Sequence, residues 1–294
     1  GPAGEDVADG QRLYDAGATL RPSDLGLLKS VGLDAVPVYE PPTVAVIPTG
    51  EELVQSDPDP GEVIETNGLT VSRLVGRWGG DARYRDVVTD DEEALAAAIE
   101  RDLDADIVVT TGGSSVGERD LIPEVVDGIG EVLVHGVALK PGHPVCLGRA
   151  SGTPVLSLPG YPVACIVNAV QFLRPTQKRV AGTDPAPFPT RRARLDRKIA
   201  SEPGTRTFAR VRLSDESTES DGSTESDWST ESDGSPTASG TSDGPSTVAT
   251  PTRASGSGVL SSVALADGWV VVPESVEGFD AGRVVDVELW EVTE

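Results

Sequence analysis

Between residues 42 and 183 short apolar runs alternate with helix-like segments, and three of those runs end in small-residue turns. The runs are Thr43 to Ile47, Ala82 to Val88, Ile107 to Thr110, Val132 to His135, Pro144 to Leu147 and Pro154 to Leu158. Helical patterns start near Thr66-Asn67 and stop at Gly79-Gly80, cover TDDEEALAAAIERDL, recur around Leu121 to Ile129, and resume at length after Pro162. In the second of these, Thr89 followed three residues on by Glu92 reads as a capping box. Alternation at this spacing implies parallel strands joined by right-handed crossovers. The expected fold is a three-layer α/β/α domain with ligands at the carboxyl ends of its strands.

The flanks read differently. Residues 1–41 hold one helical stretch, Pro22 to Val31, and are taken as the tail of a preceding domain. Methionine is absent from the whole chain, position 1 included, so the expected start has been removed by processing, cloning or truncation. Residues 184–294 carry short β-like pieces with Gly and Pro punctuation, the pattern of a small all-β, barrel-like domain. Inside it, residues 214–258 are built from Ser, Thr, Asp, Glu and Gly with the loose repeat STESDG, STESDW, STESDG. That stretch lacks the apolar residues needed to offset ordering entropy and is expected to be a disordered acidic insert.

Charge narrows the partners. With 48 Asp and Glu against 24 Lys and Arg the formal charge is −24, and no basic face stands out to neutralise phosphates, which argues against nucleic acid. Acids spread through the folded segments as well as the insert, as in proteins of a salt-rich, halophilic cytoplasm. No apolar stretch is long enough to span a membrane and no signal peptide is visible, so a cytoplasmic protein without membrane association is expected. Cys146 and Cys165, the two cysteines, sit in apolar company and read as core residues.

Three turns share one design: Pro48-Thr49-Gly50-Glu51-Glu52, Thr110 to Gly117, and Leu158-Pro159-Gly160-Tyr161-Pro162. Glycines let a ligand approach the backbone, and exposed N–H groups with hydroxyls can cradle an anion. Carboxylates follow at consecutive strand ends, namely Glu51 and Glu52, Asp90 and Asp91, and Glu118 and Asp120. Together with a phosphate they suit Mg²⁺, a hard ion that takes oxygen ligands. Lys140-Pro141-Gly142-His143-Pro144 adds a cation and an imidazole beside another rigid turn.

The combination TGEELV, TDDEEAL, TTGGSSVGERD, LKPGHPVCLG and LPGYPVACIVNAVQFLRP resembles the molybdopterin molybdenumtransferase family, which includes the C-terminal domain of gephyrin. The likeness runs from about Gly4 to Leu213 and resumes at Val259. It implies that residues 42–183 form a molybdopterin-binding domain. The implied activity is insertion of molybdate into adenylylated molybdopterin, with release of AMP and dependence on Mg²⁺, by a homodimer. Carried over, the family's functional acids match Glu52, Asp90 and Asp120, which would hold the metal, and its Lys-Pro-Gly-Lys-Pro turn matches Lys140 to Pro144. Lys140 and His143 would attract molybdate. The dithiolene and phosphate end of the pterin would lie against Thr49, Gly50, Gly112, Gly113, Ser114, Ser115, the Ser157 region, Pro159, Gly160 and Pro162.

Three positions depart from the family pattern: His143 stands where it has a second lysine, Tyr161 where it has asparagine, and Ser114 where it has an apolar residue. The large N-terminal region that supplies part of the family's active site across a dimer is not part of this sequence. Two alternatives remain at this stage, a related molybdopterin adenylyltransferase and a non-catalytic molybdopterin-binding or scaffold module.

Overall fold

The computed structural model describes residues 2, 4–113, 121–215, 245–252 and 258–291. Its first half is a six-stranded sheet ordered Asp81–Tyr84, Thr43–Pro48, Ile107–Thr111, Thr153–Leu158, Cys146–Ala150 and Glu131–His135. The first four strands are parallel. The last two are antiparallel, so the sheet is mixed and not wholly parallel as the alternation had suggested. The reason is local. Ser151 and Gly152 both take positive φ, 50° and 92°, which is the two-residue hairpin geometry that forces neighbouring strands to run in opposite directions.

Period-two alternation in the parallel strands divides their side chains between two helical layers. On one face Val44, Val46, Ile107, Val109, Leu156 and Leu158 pack against Val71, Leu74 and Val75 of the Asn67–Arg77 helix and against the Pro162–Asn168 helix. On the other, Ala45, Ile47, Val108 and Val155 meet Leu95 and Ile99 of the Glu92–Arg101 helix and Ile122 and Val126 of the Leu121–Ile129 helix. The three-layer expectation holds, and Cys146 and Cys165 are buried in these cores and form no disulfide.

Several boundaries move. The strand expected over 82–88 is regular only from Asp81 to Tyr84; the ladder then lapses and resumes as a single bridge between Thr49 and Val88. The strand expected over 144–147 occupies Cys146–Ala150. Asp91, not Thr89, caps the next helix, accepting a hydrogen bond from the Ala94 N–H at 2.9 Å. The helix starts two residues later than the Thr89–Glu92 spacing suggested, and aspartate satisfies an orphan N–H there.

The second half is a sheet that closes on itself. Strands Thr247–Pro251, Thr190–Leu195, Val284–Glu288, Gly268–Val272 and Arg206–Asp215 are neighbours in that order, and Arg206–Asp215 also pairs with Thr247–Pro251. This is the expected small barrel, but Thr247–Pro251 falls inside the stretch read as a disordered insert. TVATP is a β-branched pentapeptide hidden among acidic and hydroxyl residues, and its pairing partners lie far away in sequence. The first two residues of the insert, Ser214 and Asp215, end the Arg206–Asp215 strand, and residues 216–244 and 253–257 lie outside the described residues.

The two halves share a core. Leu139, Val145, Val163 and Ile166 belong to the same buried cluster as Phe208, Val263, Trp269 and Trp290. Trp269 stacks on Trp290 at 4.9 Å and meets Phe208 edge-on at 5.2 Å. Backbone reinforces this join, because Leu139–Lys140 adds to the barrel sheet beside Arg206 and Thr207. Among the described residues no helix is long and apolar enough to cross a membrane.

Candidate functional site

The three glycine turns converge at the carboxyl edge of the parallel strands. Thr49 N–H donates to the Thr111 carbonyl at 3.3 Å, and Gly112 N–H donates to the Leu158 carbonyl at 3.0 Å. Gly112 has φ +127°, and a Cβ there would stand 2.1 Å from the Thr49 carbonyl oxygen, so only glycine fits. On the far side, a Cβ on Gly160 would lie 3.5 Å from the Gly112 Cα. Thr49, Gly112 and Gly160 thus form one continuous backbone wall. Gly113, at φ +70°, continues it toward Ile122.

Hydroxyls sit behind the wall. Thr49, Thr110, Thr111 and Ser157 each bury a side-chain oxygen with no hydrogen-bond partner among the described residues. Strand register puts Thr110 beside Ser157 on one face of the sheet, and the pleat puts Thr111, paired with Leu158, on the other. Buried polar atoms without partners are uncommon and call for an explanation.

Beside the first turn is an acidic corner. The Glu52 carboxylate folds back over Gly50, where an added Cβ would stand 2.9 Å from Oε2. Asp90 is half-buried; burial first, then the nearby charges of Glu52 and Glu51, push its carboxyl above the usual range despite a hydrogen bond from the Glu51 N–H. Its Oδ1 is buried without a partner. These are oxygen donors held close enough to repel one another, which a divalent cation would relieve. No three His, Cys, Asp or Glu side chains group closely enough to hold a metal ion among the described residues. Asp120, the expected third acid, and Ser114 and Ser115 lie outside them.

Lys140 and His143 are not in that corner. With Pro159 and Tyr161 they line a cleft of about 760 Å³ between the α/β layers and the barrel. Lys140 Nζ bonds Glu202 Oε1 at 2.8 Å across the cleft, and this contact holds the Glu202 carboxyl below its usual range. Lys198, Arg210, Thr207 and Thr252 complete the barrel side. Pro159 and Gly160 are the seam, one lining the cleft and the other abutting Gly112. Pro162, half-buried, opens the helix that follows.

Lys198 and Arg210 escaped the reading of sequence motifs. Arg210 is only 6% exposed and shares a strand face with buried Phe208, and burial pulls its guanidinium below the usual range. An arginine two residues after Phe208 in RTFARVRL, and so on the same strand face, was the available signal.

With this geometry in view, comparison with known proteins becomes specific. The family model described as a probable molybdopterin binding domain matches residues 45–179, and that of the MoeA C-terminal region (domain IV) matches residues 238–290. Molybdopterin molybdenumtransferase 2 of Mycobacterium tuberculosis is 33% identical over 228 residues, covering 73% of this chain and 55% of its own. A Methanocaldococcus jannaschii protein, provisionally named for molybdopterin biosynthesis, is 34% identical over 297 residues, covering 97% of this chain and 64% of its own. The crystal structure of a molybdopterin biosynthesis MoeA protein from Pyrococcus horikoshii superposes with TM-score 0.75 at 33% identity, covering 98% of this chain and 64% of that one.

The two matched models define a chain with a probable molybdopterin binding domain followed by a MoeA C-terminal region. More particularly, the chain belongs to the molybdopterin molybdenumtransferase family. It spans about half the length of the first of these relatives and just under two thirds of that of the second.

Proposed function

We propose that this chain carries the pterin and oxyanion sites of a molybdopterin molybdotransferase, which inserts molybdate into adenylylated molybdopterin and releases AMP. The observation that carries the reading is the backbone wall of Thr49, Gly112 and Gly160. It joins an acidic corner to a cleft bearing Lys140, Lys198 and Arg210.

Each part has a separate task. The wall and the hydroxyls behind it accept the phosphate end of the pterin, where bare backbone and small side chains permit close approach. Glu52 and Asp90, with Asp120, hold Mg²⁺; Asp90 Oδ1, buried and unpartnered, fits that role. When bound, Mg²⁺ neutralises charge at the pyrophosphate linkage. Lys140 and Arg210 draw a dianionic oxyanion into the cleft, and the apolar walls strengthen that attraction by excluding water.

Molybdate-dependent AMP release from adenylylated molybdopterin tests this reading. Neutral substitution at Asp120 or Asp90 is expected to abolish it. Formation of the adenylate from ATP and molybdopterin, in place of its consumption, would move the chain to the adenylyltransferase class. Assembly as a homodimer belongs to the same proposal and is checked by light scattering. A salt-rich cytoplasm is the matching setting for a charge of −24, and an unfolding temperature that rises with added KCl would support it.

A further inference from the structure

Two asparagines hold the two Pro-Gly turns that face each other across the seam of the cleft. Asn168, fully buried at the end of the Pro162–Asn168 helix, donates from Nδ2 to the Gly142 carbonyl at 3.0 Å and to the Ala164 carbonyl at 2.8 Å. Asn67, at the start of the Asn67–Arg77 helix, donates from Nδ2 to the Gly160 carbonyl at 2.6 Å. Both helices lie on one face of the sheet and pack in one core. Gly142 takes φ +122°, and a Cβ there would stand 2.2 Å from Asn168 Nδ2, so amide and turn fit only each other.

Asn168 makes these two bonds at a cost. Its Oδ1 is buried with no partner. Rotating the amide by a half-turn offers no relief, because the other end already serves two carbonyls. An apolar residue of the same volume would remove that orphan atom. Directly after Asn168 the helix widens into a π-helical turn, Ala169–Leu173, a distortion that often accompanies functional positions.

Carbonyl direction has a consequence for the next residue. In a trans peptide the C=O and the following N–H point in opposite senses, and the described chain has its one cis bond elsewhere, at Lys140-Pro141. Turning the Gly142 and Gly160 carbonyls inward onto Asn168 and Asn67 therefore turns the His143 and Tyr161 N–H groups outward. Neither N–H donates to a protein group among the described residues, and both residues line the cleft.

We propose that Asn67 and Asn168 are positioning residues that aim the main-chain N–H groups of His143 and Tyr161 at an oxyanion in the cleft. The proposal rests on the oxyanion reading given above. It assigns a task to main chain at two of the three positions that depart from the family pattern, His143 and Tyr161.

Titration of sodium molybdate into the full chain by calorimetry, with amide NMR signals of His143 and Tyr161 followed in parallel, tests it. Asn168→Leu and Asn67→Ala are each expected to weaken molybdate binding roughly tenfold, the effect of losing aim at a charged partner. Both amide signals should move with molybdate in the unaltered chain and stop moving in the variants. Gln177→Met is the control, since Gln177 makes the same kind of buried amide bond, to the Val75 carbonyl, far from the cleft. It should lower the unfolding temperature and leave molybdate affinity unchanged. Wild-type affinity and signal movement in the asparagine variants, or equal weakening by Gln177→Met, would overturn the positioning role. If Asn168→Leu does not fold, half-exposed Asn67 carries the test alone. Absence of molybdate binding by the unaltered chain would overturn the oxyanion reading, and the positioning role with it.

Discussion

The acidic corner and the basic cleft are joined by the Thr49, Gly112 and Gly160 wall, yet they are built in opposite ways. The corner comes from the ends of adjacent strands in one sheet, beside a wall in which Thr49 and Gly112 are tied by backbone hydrogen bonds and Gly112 takes a positive φ that favours glycine. The cleft is assembled across a join, with Lys140 and His143 on one wall and Lys198 and Arg210 on the other. A site of the first kind is rigid and intolerant of substitution. One of the second kind depends on how two units are held together, here through Phe208, Trp269 and Trp290.

The largest expected effect follows from that contrast. Gly112→Ala forces a Cβ to within 2.1 Å of the Thr49 carbonyl and strains φ as well. The cost should be about 3 kcal/mol, a fall of roughly 6–12 °C in the unfolding temperature. A variant that melts like the parent would show that the wall is not rigid.

Asp90→Asn sharpens the acidic side. Burial and the neighbouring Glu52 and Glu51 raise the folded-state pKa of Asp90 above its unfolded value. The charged form therefore destabilises the fold at pH values above that pKa, and the penalty disappears as pH drops below the ordinary carboxyl range. Without Mg²⁺, Asp90→Asn should raise the unfolding temperature near neutral pH by about 1–3 °C, a figure kept small because solvent screens a half-exposed group. The gain should vanish in acid. Scanning calorimetry across pH checks both.

Glu202→Gln should have the smallest effect. Glu202 and Lys140 are both exposed and form a pair worth little to stability. The Lys140 contact depresses the Glu202 pKa, so the pair persists above the ordinary carboxyl range and is lost only as pH falls through the lowered value. Removing the competing carboxylate should tighten molybdate binding by a few-fold at neutral pH while the unfolding temperature stays put. Weaker binding would mean that Glu202 supports the cleft instead of competing for Lys140.

The same contrast explains what was legible in the sequence. Apolar alternation and the Gly-Gly and Pro-Gly turns revealed the three layers and the strand-end wall, because those signals are local and glycine is required where φ is positive. Lys198 and Arg210 were illegible as site residues because the pairing that brings them to Lys140, Leu139–Lys140 beside Arg206–Thr207, joins distant segments. The antiparallel edge is encoded in a dipeptide, Ser151-Gly152, whose hairpin geometry is a weaker sequence signal than the strand and helix alternation around it. The strand at Thr247–Pro251 was masked by its surroundings, since five β-branched and small residues after an acidic tract carry too little pattern to declare themselves.

The division of labour between corner and cleft is tested most directly by molybdate affinity, measured calorimetrically without Mg²⁺ at fixed salt, in Lys140→Ala beside Asp90→Asn. Lys140→Ala should weaken binding by about tenfold or more, the value of a charge-assisted contact, and Asp90→Asn should leave it unchanged. Equal weakening by both variants, or none from Lys140→Ala, would contradict the assignment of the oxyanion to the cleft.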